Sequence, residues 1–128
     1  MNQRTEGILL IAGMIALSLV FQVQMKLFAS MLGPLLAKAQ DWRGAVGALV
    51  AAALGWRGLL IVVLAGLLFL LWLLALTRLE LSFALPIASI AFVITAIGGG
   101  LWLGEDLNWV RILGVAIIAV GIGLVVRS

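Results

Sequence analysis

The chain has 128 residues, of which 66% are hydrophobic and only 10% are charged, with a formal net charge of +3. It contains no cysteine and no histidine, which excludes disulfides, thiolate metal sites and histidine-based catalysis. Long apolar runs with few charges are typical of helices that span a membrane, so the composition predicts an integral membrane protein.

Four apolar runs are long enough to cross about 30 Å of hydrocarbon at about 1.5 Å per residue. They cover residues 8–32, 58–77, 81–103 and 109–126. In lipid, the backbone satisfies its polar groups only in helices or in a closed barrel, and none of these runs alternates with a period of two. The sequence therefore predicts an all-α fold with one four-helix transmembrane domain over residues 1–128.

The first span is expected to end at Gly33-Pro34, and it carries polar residues at four-residue steps. Ser18, Gln22 and Lys26 lie on one helical face at this spacing. A lysine placed toward the middle of a bilayer costs about 2.5–3.5 kcal/mol on insertion scales. Two interpretations stay open. Either Lys26 snorkels to the headgroups while its neighbours bond to another helix, or the face forms a groove that receives an anion.

The connection at residues 33–57 is polar in its first half and apolar from 44 to 55. The apolar part is too short to span, and Trp42 and Trp56 bracket it. Because tryptophan favours the headgroup level, we expect a short interfacial helix or an extension of the second span that kinks near Gly55.

The third span is expected to bend at Pro86, which removes a backbone donor and frees the carbonyl of the residue four positions before it. Ala91, Thr95 and Gly99 follow at the spacing that lets membrane helices approach closely. A bent helix beside a polar groove is typical of alternating access.

The five acidic residues all lie near the ends of the predicted spans. No carboxylate lies in the middle of a span to neutralise Lys26, which leaves an anionic headgroup or an interfacial position for its ammonium. Glu105 is the best candidate for a working acid, able to approach Arg111 or a partner subunit; the alternative is a solvated loop charge. Asp106 is expected to be an N-cap or a loop residue before the fourth span.

The distribution of lysine and arginine does not decide how the protein is oriented in the membrane. One side receives Arg4, Arg78 and Arg127, and the other receives four cations: Lys38, Arg43, Arg57 and Arg111. Such a balance is compatible with insertion in both orientations, and equally with a single, weakly biased orientation.

Several chemistries are absent from the sequence. It has no catalytic triad, no metal-ligand cluster, no phosphate loop and no nucleotide fingerprint, and its few arginines form no basic cluster for nucleic acid. We expect no enzyme activity, no cofactor, no metal and no nucleic-acid partner.

Two segments carry a family resemblance. Residues 103–115 read LGEDLNWVRILGV, with Gly104-Glu105, Arg111 and Gly114, and residues 71–89 form the hairpin LWLLALTRLELSFALPIAS. The chain resembles the drug/metabolite transporter superfamily in these segments.

Within that superfamily, the four-span members include the small multidrug resistance proteins and the flippase subunits for aminoarabinose linked to undecaprenyl phosphate. The multidrug members carry a glutamate at the position that Ser18 occupies. The Ser18, Gln22 and Lys26 face and the Ala84-Leu85-Pro86 run resemble the flippase subunits instead. This resemblance implies a multi-pass protein of the bacterial inner membrane that flips an anionic, polyprenyl-phosphate-linked sugar, as in lipopolysaccharide modification.

The same resemblance implies a homodimer, antiparallel or not, or a heterodimer with a similar subunit. It makes Lys26 an anion-binding residue, with Ser18, Gln22, Glu105 and Arg111 as further substrate-binding candidates. Two alternatives remain: a multidrug-type exporter of small molecules that uses Glu105 as its acid, and an accessory subunit that does not itself transport.

Overall fold

The computed structural model describes residues 2–128, which form six helices and no strand. The helices are α1 (Gln3–Ala37), α2 (Trp42–Leu54), α3 (Trp56–Leu76), α4 (Leu81–Ala88), α5 (Ile90–Trp102) and α6 (Trp109–Arg127). Four segments are long and apolar enough to cross a membrane, when α4 and α5 are taken as one. The predicted all-α membrane fold is confirmed.

Helix α1 does not end at Gly33-Pro34, and that expectation was wrong. The helix has 35 residues and continues through Pro34 to Ala37. A proline inside a helix removes one backbone donor, the one that would reach the carbonyl of Ser30. Because Pro34 lies within the last turn, this loss affects a single bond, and the helix continues for three more residues.

The connection between the first two spans contains the predicted short helix. This helix, α2, has 13 residues and is capped at its start by Asp41, whose carboxylate accepts a hydrogen bond from the Gly44 N–H at 2.9 Å. It ends at Gly55, an extended residue that also precedes α3. The chain therefore changes direction at one residue. The two helices approach closely at this corner, since a side chain at Gly58 would overlap the backbone of Ala53.

The third span is interrupted at Ser89, three residues after Pro86. The Ser89 hydroxyl donates to the Leu85 carbonyl at 2.9 Å, and the Thr95 hydroxyl donates to the Ala91 carbonyl at 2.7 Å. Serine and threonine commonly bond the preceding turn in this way and bend membrane helices.

Helices α1 and α3 run antiparallel and form the main contact of the bundle. The core lies toward one end of this pair, where Ile11, Ala75, Ala84 and Ile87 are buried together. At this end Arg78 bonds Glu6 at 2.9 Å, so we call it the Arg78 end. The opposite end holds Lys26, α2 and the loop between α5 and α6, and we call it the Lys26 end.

Most large apolar side chains of the described residues point outward. Within residues 2–128, Ile11 is the one large side chain that is completely buried, whereas leucines, valines and isoleucines are exposed along every span. A water-soluble protein rarely exposes apolar patches of this extent. Lipid is the solvent that suits this surface.

Gly7 offers a test of how α1 packs against the turn between α3 and α4. A Cβ at Gly7 would lie within 3.0 Å of three side-chain atoms of Leu79, whereas a Cβ at Gly13 meets nothing within 4 Å. We expect Gly7→Ala to destabilise the protein by about 1–3 kcal/mol through overpacking. Gly13→Ala should be neutral or stabilising, because alanine favours helices by about 1 kcal/mol over glycine. Thermal unfolding in detergent measures both, and equal melting temperatures would contradict this packing.

Candidate functional site: a groove at the Lys26 end

A groove of about 510 Å³ lies between α1 and α5. Helix α1 contributes Gln22 and Lys26, α5 contributes Thr95 and Gly99, and the following loop contributes Glu105. The remaining lining is mainly apolar: Leu19, Val23, Met25, Ala29, Ile94 and Trp102. The groove thus combines an apolar wall with one cation and one carboxylate.

The two charges meet directly. Lys26 Nζ donates to Glu105 Oε1 at 2.7 Å, across 79 residues of sequence. Their side chains are 57% and 40% exposed, so the pair lies at the mouth of the groove and not beneath a protein surface. The sequence interpretation, which left Lys26 only a headgroup or an interfacial position, did not consider an acid from outside the spans. Glu105 lies just beyond a span and folds back.

Two glycines place the Glu105 carboxylate over the end of α5. Gly104 has φ of 64°, a left-handed conformation that glycine adopts without strain. After this reversal, the Glu105 N–H donates to the Gly99 carbonyl at 3.1 Å. A Cβ at Gly99 would lie 3.1 Å from Glu105 Oε2, so the absent side chain leaves room for the carboxylate.

Lys26 lies close to one edge of the bundle. Two residues further along α1, Phe28 begins the stretch that borders Trp56 and Arg57 at the start of α3. Trp102, at the end of α5, lines the same groove as Lys26. Since tryptophan and arginine mark the headgroup level of a membrane helix, the Lys26 ammonium is near an interface, with most of α1 on its other side.

Ser18 is separated from the other two polar residues of its face. Its hydroxyl donates to the Ile15 carbonyl at 2.7 Å, and it does not line the groove. A hydroxyl that bonds its own helix needs no partner from another helix. The structure therefore brings Gln22, Lys26 and Glu105 together and leaves Ser18 outside.

Arg111 belongs to a different surface. It lines an apolar groove of about 240 Å³ between α5 and α6, and its guanidinium donates to the Asp106 carbonyl at 3.0 Å. The N-cap of α6 is Asn108, whose side chain accepts from the Arg111 N–H at 2.9 Å; Asp106 is a loop residue. Pro86 is absent from the lining of the Lys26 groove.

The ion pair favours the ionised form of Glu105 by lowering its pKa. The hydrogen bond from Lys26 holds the pKa of the Glu105 carboxyl below its ordinary value, the charge of Lys26 adds to this, and Arg111 adds a smaller effect. Among residues 2–128, no three histidine, cysteine, aspartate or glutamate side chains come together as metal ligands. The chemistry of the groove depends on one ammonium, one carboxylate and neutral donors.

The sequence interpretation did not predict that α5 forms one wall of the groove. The Ala91, Thr95 and Gly99 stripe was interpreted as a surface for close helix packing, yet Thr95 and Gly99 line the open groove together with Gly98. Gly104-Glu105 supplied a usable signal, since a glycine after a span often reverses the chain and returns the next residue to the helix end.

Comparison with known proteins gives one curated relative. The probable 4-amino-4-deoxy-L-arabinose-phosphoundecaprenol flippase subunit ArnF of Shewanella sediminis is 40% identical to this chain over 53 residues. The chain resembles a flippase subunit. The matched segment covers 40% of this chain and 37% of the relative. No family model matches the chain, and no solved structure does.

That relative is named as a flippase subunit, and the four membrane-capable helices of this chain agree with a multi-pass membrane protein. The predicted resemblance to the flippase subunits is therefore confirmed for that segment. The identity of any substrate comes from the relative's name alone and not from this chain.

The Glu105 pKa tests the geometry of the pair. Replacing Lys26 with Gln should raise the pKa of Glu105 toward its ordinary value, because the largest cause of its depression is lost. Arg111→Gln should raise it less. A depressed carboxyl pKa stabilises the fold above the ordinary pKa, and this contribution is lost as the pH falls through the depressed value. Carboxyl NMR of ¹³C-labelled protein measures each pKa; an unchanged value in Lys26→Gln would contradict the pair.

Proposed function

We propose that the protein is a subunit of a transporter that flips a polyprenyl-phosphate-linked sugar across the bacterial inner membrane. The observation that carries the proposal is the position of Lys26 at the mouth of a groove that is mainly apolar. An ammonium in this position matches a lipid whose headgroup carries a phosphate. The similarity to a protein named as a flippase subunit supports the same substrate class.

The groove suits the two parts of such a lipid. The phosphate would bind the Lys26 ammonium, which acts as a point-charge ligand for phosphate, and the Gln22 amide would donate to the sugar or to a phosphate oxygen. The polyprenyl tail would stay in lipid against the exposed leucines and valines of the spans. The headgroup alone would then need a polar path.

Binding requires an exchange of anions at Lys26. In the structure the Glu105 carboxylate is bound to the Lys26 ammonium. An incoming phosphate would compete with this carboxylate. Glu105 lies on a loop that follows Gly104, and its exposed side chain can return to solvent without crossing lipid. The pair would thus keep the groove neutral when it is empty, and the substrate would restore neutrality when it binds.

A second subunit would complete the groove. Its lining comes from α1, α5 and the following loop, so two helices leave one side open. The relative is named as a subunit, and the balance of cations between the two sides of the chain is compatible with both orientations. A second copy in antiparallel orientation, or a similar subunit, would supply the missing wall.

Replacement of Lys26 tests this proposal. Lys26→Gln should weaken binding of a short-chain polyprenyl phosphate by about 10–100-fold, since a charged hydrogen bond contributes about 1.5–3 kcal/mol. Flipping of the same probe in proteoliposomes should fall to background. Calorimetric titration and a dithionite-quenching assay with a fluorescent probe measure the two effects. Lys38→Gln, a cation at the end of α1 outside the groove, serves as the matched control and should change neither.

Unchanged binding and flipping in Lys26→Gln would overturn the proposal. The exporter alternative is also testable. The Glu105 carboxylate could bind a cationic substrate if the Lys26 side chain moved away from it. Resistance to quaternary ammonium compounds on expression, lost in Glu105→Gln, would support that exporter and contradict the flippase.

A further inference from the structure

The corner between α2 and α3 has features that the proposed transport does not use. Helix α2 is apolar apart from Arg43, yet it buries no residue. Two exposed tryptophans bracket it, Trp42 at its first position and Trp56 immediately after Gly55. A short apolar helix between two tryptophans suits the boundary between headgroups and acyl chains.

Each tryptophan is paired with an arginine. The guanidinium of Arg43 lies 5.5 Å from the ring centroid of Trp42, and that of Arg57 lies 5.0 Å from the ring centroid of Trp56. Within residues 2–128, neither arginine forms an ion pair. The nearby carboxylate of Asp41 caps α2. The guanidiniums are therefore ordered by stacking while their charge is available to an anion.

An apolar crevice lies directly beside Arg57. It has a volume of about 130 Å³, and both Trp56 and Arg57 belong to its lining. The other lining residues are apolar or lack a side chain; they include Phe28, Met31, Leu32, Leu35 and Ala52. This crevice shares no lining residue with the Lys26 groove. A cation is thus placed next to a slot for hydrocarbon, as an anionic lipid requires.

We propose that this corner binds a phospholipid of the surrounding bilayer that carries a net negative headgroup. Its phosphate would bind the Arg57 guanidinium, which can form two parallel hydrogen bonds with phosphate oxygens. The first few methylenes of one acyl chain would lie in the crevice between α1, α2 and α3. Charge complementarity and the apolar lining favour this occupant over a protein, and the site is independent of the proposed transport.

Binding of phosphatidylglycerol, compared with phosphatidylcholine, tests the proposal. Native mass spectrometry of the full chain, released from detergent with each lipid added in turn, should show phosphatidylglycerol retained at about tenfold lower concentration, since only its headgroup carries a net charge. Arg57→Gln should remove this preference. Arg127→Gln, at the last residue of α6 on the Arg78 end, is the matched control and should leave it intact.

A second variant distinguishes the contribution of the apolar crevice to lipid binding from that of the Arg57 charge. Ala52→Trp should fill the crevice and weaken binding of both lipids while Arg57 is present, with helicity by circular dichroism confirming the fold. Lys26→Gln should leave phosphatidylglycerol binding unchanged, so failure of the transport proposal and failure of this site are distinguishable.

Three results would overturn the proposal: equal retention of the two phospholipids, an unchanged preference in Arg57→Gln, or displacement of phosphatidylglycerol by a short-chain polyprenyl phosphate. The last would assign the corner to the transported lipid.

Discussion

The ion pair between Lys26 and Glu105 is the constraint on which the site depends. A membrane helix tolerates an ammonium only where water, a headgroup or an anion meets it, and here the 2.7 Å contact with Glu105 supplies the anion. That contact in turn requires a chain reversal at Gly104 and an absent side chain at Gly99. The first and third spans are therefore joined at the Lys26 end by a charge contact. In the proposed function, a substrate anion would replace Glu105 in this contact.

The two ends of the bundle differ in how tightly the helices pack around their cations. At the Arg78 end, Arg78 bonds Glu6 and Arg4 stacks on Phe83 at 4.8 Å, above the buried core around Ile11. At the Lys26 end, Arg43 and Arg57 stack on exposed tryptophans and the groove lies open. The end with the better packing is thus suited to hold the helices together, and the other end is suited to exchange ligands with lipid and water.

The sequence predicts the spans well because each span is a local property of the chain. An apolar run of sufficient length identifies a membrane helix without knowledge of its neighbours, and bracketing tryptophans identified α2 in the same way. The end of α1 was missed because proline is a strong signal of termination, whereas its energetic effect depends on how many residues follow it. Pro34 is followed by only three.

The site was harder to predict because its partners are distant in sequence. Lys26 was identified from its own position, but Glu105 lies 79 residues away, and nothing local indicates which acid returns to which cation. The four-residue spacing placed Ser18 beside Gln22 on one face, yet the structure turns the Ser18 hydroxyl to the Ile15 carbonyl. Spacing predicts which residues share a face, whereas packing decides which of them reach the groove.

The most direct measurement of the central claim is the identity of the lipid that copurifies with the protein from a cell that makes polyprenyl-phosphate-linked sugars. Native mass spectrometry of gently extracted protein should detect such a lipid on the wild-type chain and not on Lys26→Gln, with Lys38→Gln retaining it. Absence of any polyprenyl phosphate from the wild type, or equal amounts on wild type and Lys26→Gln, would contradict the account.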